Sequence, residues 1–110
     1  MREICLVRLD KTRPAAVLTR ESARAAMTKV TVAPITTTVK GLSSEVRVGR
    51  HNGLDADGVI ALDNVITVPV TALGRTVGYL NRAQELELAR AVVLAYDLDL
   101  PLLDRPTRRE

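Results

Sequence analysis

The sequence has almost no aromatic residues: two tyrosines, Tyr79 and Tyr96, and neither Phe nor Trp. A core must therefore be built from Val, Leu, Ile and Ala. The hydrophobic share of 46% over 110 residues is enough for one such core. A single cysteine, Cys5, excludes an internal disulfide and fits a reducing cytoplasm, with Cys5 read as a small core side chain of an alternating strand. One His and one Cys exclude the usual zinc sites, and neither an EF-hand loop nor a Gly-rich phosphate loop is present, so neither a metal nor a cofactor is expected. No apolar run reaches the roughly 18 residues of a membrane span. Arg2, Glu3 and Arg8 interrupt the apolar opening MREICLVRLDK and argue against a signal peptide. The expectation is a cytoplasmic chain with no membrane contact.

Charge is present but unevenly placed. Residues 1–50 hold ten Lys/Arg against four Asp/Glu, and residues 51–110 hold six against nine. A basic first half attracts phosphates or an acidic protein segment through its field; a solvated charged surface is the plain alternative. His51, beside an Asn-Gly turn, reads as a surface residue, with only its titration range to suit acid–base chemistry.

The chain reads as short strands with one strong helix. Strands are expected over 4–9, 14–18, 29–37, 45–48 (an edge), 58–62, 65–70 (ending near Pro69) and 75–80. A short helix is expected over 21–27 with Thr19 as its cap, and a longer one over 82–96 capped by Asn81. In that longer helix Leu86, Ala89, Val93 and Tyr96 fall on one face, widened by Leu88 and Val92. Many short strands and a terminal helix predict a mainly β fold, a small and strongly bent sheet or partly open barrel. Residues 1–100 are expected to form one domain and residues 101–110 a frayed tail.

The chemistry-bearing residues suit phosphate. Arg13 precedes Pro14, whose ring biases Arg13 toward an extended conformation at the mouth of a strand. A guanidinium there can grip a phosphate through two parallel hydrogen bonds. VTVAPITTTVK begins as a core strand and ends in Thr36, Thr37 and Thr38, then Lys40. These hydroxyls either form a phosphate-facing row or are ordinary β-formers. Asp63, between two strands, can act as an acceptor or base.

Four pieces in order, E-I-x-L-V-x-L-D, R-P-A-x-V-L, V-x-P-I-T-x-T with a following Gly-Leu-x-Ser-Glu-Val, and G-V-x-x-L-D-x-V-x-T-V, resemble the MazF/PemK/Kid toxin family over about residues 2–95. The resemblance implies a small SH3-like barrel of the CcdB/PemK-like toxin fold with a short internal helix and a C-terminal helix, assembled as a homodimer. It implies a toxin of a toxin–antitoxin module that cuts single-stranded RNA at short sequence motifs without a metal and inhibits translation and growth. It also implies an antitoxin whose acidic C-terminal segment covers the RNA groove. The family's arginine falls on Arg13, its threonine on Thr36, the acidic residue of Kid-like members on Asp63 and a neighbouring polar RNA contact on Asn64. Thr37, Lys40 and Ser43 fall in the loop that lies beside the substrate in such proteins.

Three positions depart from the family pattern. Only Asp10, Lys11 and Thr12 lie between Leu9 and Arg13, where the family carries a long loop that helps to cover the site. Ile66 and Ala61 stand where the family has arginines. Fewer fixed cations and few aromatics for stacking point to looser RNA binding, to a different target motif or to a structured RNA. Two other classes share the fold: a CcdB-like toxin that binds gyrase without cutting RNA, and an inactive RNA- or antitoxin-binding relative.

Overall fold

Seven short β-strands form one strongly bent antiparallel sheet in a computed structural model that describes residues 1–98. The strands are β1 (Glu3–Arg8), β2 (Thr12–Val17), β3 (Lys29–Thr36), β4 (Glu45–Val48), β5 (Gly58–Ala61), β6 (Ile66–Pro69) and β7 (Leu73–Tyr79). Two helices join them, α1 (Glu21–Arg24) and α2 (Arg82–Ala95). The sheet runs β4-β5-β3-β2-β1-β7, with β6 also paired to β3. The strand positions, the edge position of β4 and the end of β6 at Pro69 agree with the pattern read from the sequence, as does the partly open barrel. The tail expected over 101–110 lies outside the described residues.

β3 organises the sheet. One of its edges pairs with β2, through Ala15↔Pro34, Ala16↔Ala33 and Val17↔Val32. Its other edge takes β6 over Lys29 to Val32 and β5 at Ile35 and Thr36. Between Ile60, opposite Ile35, and Ile66, opposite Val32, the partner chain advances six residues while β3 advances three. The excess is absorbed by a 3-10 turn, Leu62–Asn64. Leu62 points inward and is fully buried, whereas Asp63 and Asn64 are expelled to the surface. Pro34, which has no N–H to give to a ladder, lies opposite this interruption.

Strand alternation divides the interior into two clusters. Ile4, Ala16, Ala33 and Ile35 face one side, where Val46, Val48, Ile60, Leu62 and α2 close over them. Cys5, Val7, Ala15, Val17, Val30 and Val32 face the other, where the sheet curls onto Val68. Cys5 is thus a core residue, and burial pushes its thiol pKa up.

α2 docks through Gln84, Leu88, Ala91 and Val93, with Val92 and Ala95 packed partly against the same core. This corrects the face expected from periodicity: Leu86 is 66% and Tyr96 51% exposed, and Ala89 is also at the surface. Apolar residues surround this helix on most sides, so period alone does not select a face. A polar network selects it. Gln84 Nε2 donates to Arg47 O (3.1 Å) and Asn52 Oδ1 (3.0 Å), and Gln84 Oε1 accepts from Asn52 Nδ2 (2.7 Å) and Asn81 N (3.0 Å). Asn52 also donates to Tyr79 O (2.9 Å) and accepts from Gly49 N (3.0 Å). Both buried amides are fully partnered, which locks the helix, β4 and the Arg50–Asn52 turn into one arrangement. Asn81 caps α2 as expected, accepting from Gln84 N at 2.8 Å.

The short helix also differs from expectation. α1 ends at Arg24, and Thr19 does not cap it. Thr19 Oγ1 instead accepts from Thr31 N (2.8 Å), tying the β2 exit to β3. Arg24 turns back to Glu3, which Thr76 also reaches with its hydroxyl (2.6 Å). These two partners, Thr76 first and then Arg24, hold the Glu3 carboxyl pKa down.

Candidate active site

Extending the β2–β3 register two residues beyond Ala15↔Pro34 brings Arg13 across from Thr36. Strand parity puts both on the same face, that of Ala15, Val30 and Val32. The β2–β3 ladder has ended before this point, while Arg13 still pairs with Val7 of β1 and Thr36 with Val59 of β5, so the two side chains stand at the open end between β2 and β3.

Two hollows, each of about 340 Å³, flank this pair, and Arg13 and Thr36 line both. One is bordered by Pro34, Thr38, Lys40, Leu42, Ala61, Asp63 and Asn64. The other is bordered by Lys11, Pro14, Ile35, Thr37, Leu54, Asp55, Ala56 and Gly58. The chain leaves β3 at Thr36, which borders both hollows; beyond it Thr37 lines the Asp55 side and Thr38 the Asp63 side. Thr36 Oγ1 accepts from Thr38 N (3.1 Å), which leaves the Thr36 hydroxyl proton available to a ligand oxygen.

Arg13 is held but incompletely partnered. Its Nη2 approaches Asp10 Oδ1 at only 3.5 Å, and its buried Nε has no hydrogen-bond acceptor among the described residues. A guanidinium with donors to spare beside a hydroxyl is equipped to grip an oxyanion. β1 and β2 are joined by a tight turn, with Leu9 N donating to Lys11 O (3.1 Å), so no long loop stands over Arg13 from that side.

Asp63 is oriented from beneath. The buried Ser44 hydroxyl donates to its Oδ2, and Ser44 O accepts from Leu62 N (3.1 Å). Ser44 therefore holds the start of the turn through Leu62 and the carboxylate through Oδ2, while Asp63 itself is exposed. Lys40 is presented by a loop folded on a second carboxylate. Lys40 N (3.2 Å), Gly41 N (2.9 Å) and Leu42 N (3.2 Å) all donate to Glu45, with Gly41 in the left-handed region at φ 78°.

Of the sequence-predicted residues, Arg13, Thr36, Asp63, Lys40 and Asn64 thus line one hollow and Thr37 the adjoining one. Ser43 lines neither; its side chain is exposed, and its neighbour Ser44 makes the contact to Asp63. Ser44 was legible in principle, since it shares parity with buried Val46 and Val48. Gly58 was missed as well. A Cβ there would lie 2.5 Å from Thr36 O, so only glycine allows β5 to support Thr36 this closely.

Residues 2–96 match the family described as PemK-like, MazF-like toxin of type II toxin–antitoxin systems. The chain is 54% identical over 99 residues to Endoribonuclease MazF3 of Mycobacterium tuberculosis (strain ATCC 25618 / H37Rv), spanning 90% of this chain and 96% of that one. A solved Mycobacterium tuberculosis toxin, MazF-mt6, superposes with a TM-score of 0.87 at 53% identity, over 89% of this chain and 99% of the other. An endoribonuclease in complex with its cognate antitoxin, from a mycobacterial species, shares the fold at 19% identity and a TM-score of 0.78, over 88% and 93% of the two chains. The chain belongs to the PemK-like, MazF-like toxins of type II toxin–antitoxin systems.

Proposed function

We propose that this toxin is an endoribonuclease that cuts single-stranded RNA at a short sequence motif, with Arg13 and Thr36 on the scissile phosphate and Asp63 beside the attacking hydroxyl. The observation that carries this reading is the cross-strand placement of Arg13 and Thr36 at the mouth between two hollows, together with the named activity of the 54% identical relative.

In the proposed reaction the ribose 2′-oxygen attacks the adjacent phosphorus and the bond from phosphorus to the 5′-oxygen breaks. A 2′,3′-cyclic phosphate and a 5′-hydroxyl result, and DNA, which lacks the 2′-hydroxyl, is not cut. Asp63 accepts the 2′-hydroxyl proton through Oδ1 while Ser44 holds Oδ2. Arg13 stabilises the charge that builds on the phosphorane, and Thr36 donates to a non-bridging oxygen. Arg13 is a poor base because it holds its proton so firmly, so its place is electrostatic or that of a proton donor to the leaving oxygen. Arg13 supplies positive charge where other nucleases use a cation, hence the proposed independence from metal.

Lys40 and Asn64 contact the RNA on the Asp63 side, and Thr37 does so on the other. The same groove suits an antitoxin with an acidic C-terminal segment that folds on binding and excludes RNA. The exposed apolar side chains Leu86 and Leu94 of α2 and Tyr79 of β7 support a homodimer interface. A cytoplasmic location follows from an RNA substrate.

Incubating the purified protein with a long RNA in EDTA and mapping the new 5′ ends tests the proposal. Cuts at one motif bearing 5′-hydroxyl ends are expected. RNA left equally intact by the wild type and Arg13→Ala would refute it.

A further inference from the structure

The hollow on the far side of the Arg13–Thr36 pair from Asp63 has a chemistry of its own. Its floor is apolar, made by Pro14, Ile35 and Leu54, and its rim carries Lys11, Thr37 and Asp55. An apolar floor with a polar rim suits the face and the edge of a nucleobase. Asp55 is the anomalous member. A carboxylate beside a phosphate track repels the backbone, and the ion pairs among the described residues, Arg2–Glu85, Arg13–Asp10 and Arg24–Glu3, do not include it. An ionised carboxylate can only accept hydrogen bonds, so its complement in RNA is a donor, and above an apolar floor that suits a base face the donor is a base edge and not a ribose hydroxyl.

We propose that this hollow holds the base of a nucleotide next to the scissile phosphate, and that Asp55 selects there for a base with an exocyclic amino group over uracil. The inference rests on the RNA-cleaving reading of the Arg13–Thr36 site and adds a residue that sets its sequence preference. Cytosine, adenine and guanine each present an amino donor, and a carboxylate accepts from it. Uracil presents one N–H between two carbonyl oxygens, which a carboxylate repels. Leu54 fixes the segment from below, half-buried against the main core, so the carboxylate is carried on an anchored stretch of chain. Asp63 and Asn64 lie across the Arg13–Thr36 pair, so Asp55 is separate from the residues assigned to the chemistry.

The test is a binding series with 2′-O-methyl RNA oligonucleotides, which cannot be cut, carrying each of the four bases at the positions flanking the scissile phosphate. Wild type is expected to bind the uracil oligonucleotide about ten-fold more weakly than the best amino-bearing one at one flanking position. Asp55→Asn, whose amide can also donate to a carbonyl, is expected to close most of that gap and leave the other flank unchanged. End-mapping of cleavage by Asp55→Asn should then admit uracil at that same position. No discrimination against uracil by wild type, or the same discrimination in Asp55→Asn, would overturn the assignment. The binding series reads the base preference without any cutting, whereas an unmodified RNA left uncut by wild type would count against the nuclease reading alone.

Discussion

Arg13 and Thr36 face each other across β2 and β3, two residues beyond the last paired position, and each lines both hollows of the site. A phosphate that touches one of them is therefore within the span of the other. Arg13→Lys is accordingly expected to be far from conservative, because a lysine offers a point charge and not a planar fork. Loss of either the fork or the Thr36 hydroxyl is expected to slow cleavage by about 10²- to 10³-fold, with circular dichroism unchanged. Unfolding of Thr36→Ala would instead assign that residue to structure.

Ser44→Ala removes the hydroxyl that orients Asp63 and leaves the carboxylate itself in place. Single-turnover cleavage should fall by about ten-fold, the worth of one hydrogen bond to a charged group. Asp63→Asn should fall further. Adding Ser44→Ala to Asp63→Asn should then change little, since the serine acts through that carboxylate.

Gly58→Ala places a methyl group 2.5 Å from Thr36 O, too close for either strand to keep its position. A loss of about 1–3 kcal/mol in denaturant unfolding is expected. Cleavage should fall by more than the folded fraction accounts for, because the displaced backbone carries Thr36. Activity that tracks the folded fraction alone would show that Gly58 serves only the fold.

Gln84→Ala strands the Asn52 amide in the core without two of its partners. The expected cost is about 1–3 kcal/mol, seen as a lower midpoint in urea. Cleavage per folded molecule should be unchanged, since α2 lies on the other side of the sheet from Arg13.

Glu3 makes stability depend on pH. Thr76 and Arg24 hold its carboxyl pKa below 4.5 in the folded protein, so the folded state disfavours protonation there. Its contribution is complete above the unfolded carboxylate range and is lost as pH falls through the folded value. Thermal unfolding should therefore separate wild type from Glu3→Gln at pH 7 and bring the two together in acid. An equal gap at every pH would remove the carboxylate charge as the cause.

Strand alternation and proline position made most of the barrel legible, because Val30, Val32 and Val46 must be buried on a period of two. Arg13 and Thr36 were legible through the motifs around them. α2 was misread because Leu86, Leu88, Val92, Leu94 and Tyr96 spread around the helix. Its buried face depends on Asn52, more than 30 residues upstream of Gln84, through a contact that no local pattern encodes. The roles of Asp55 and Gly58 have no local signal for a related reason: they come from Thr36 and Arg13, brought near only when β5 folds onto β3.

Single-turnover cleavage of one RNA by wild type, Arg13→Ala, Thr36→Ala and the double variant tests the shared phosphate most directly. Each single change should slow cleavage by at least about 10²-fold, and the double variant should be scarcely slower than Arg13→Ala alone. Cleavage by Arg13→Ala at the wild-type rate, or losses that simply multiply in the double variant, would contradict a phosphate held jointly by Arg13 and Thr36.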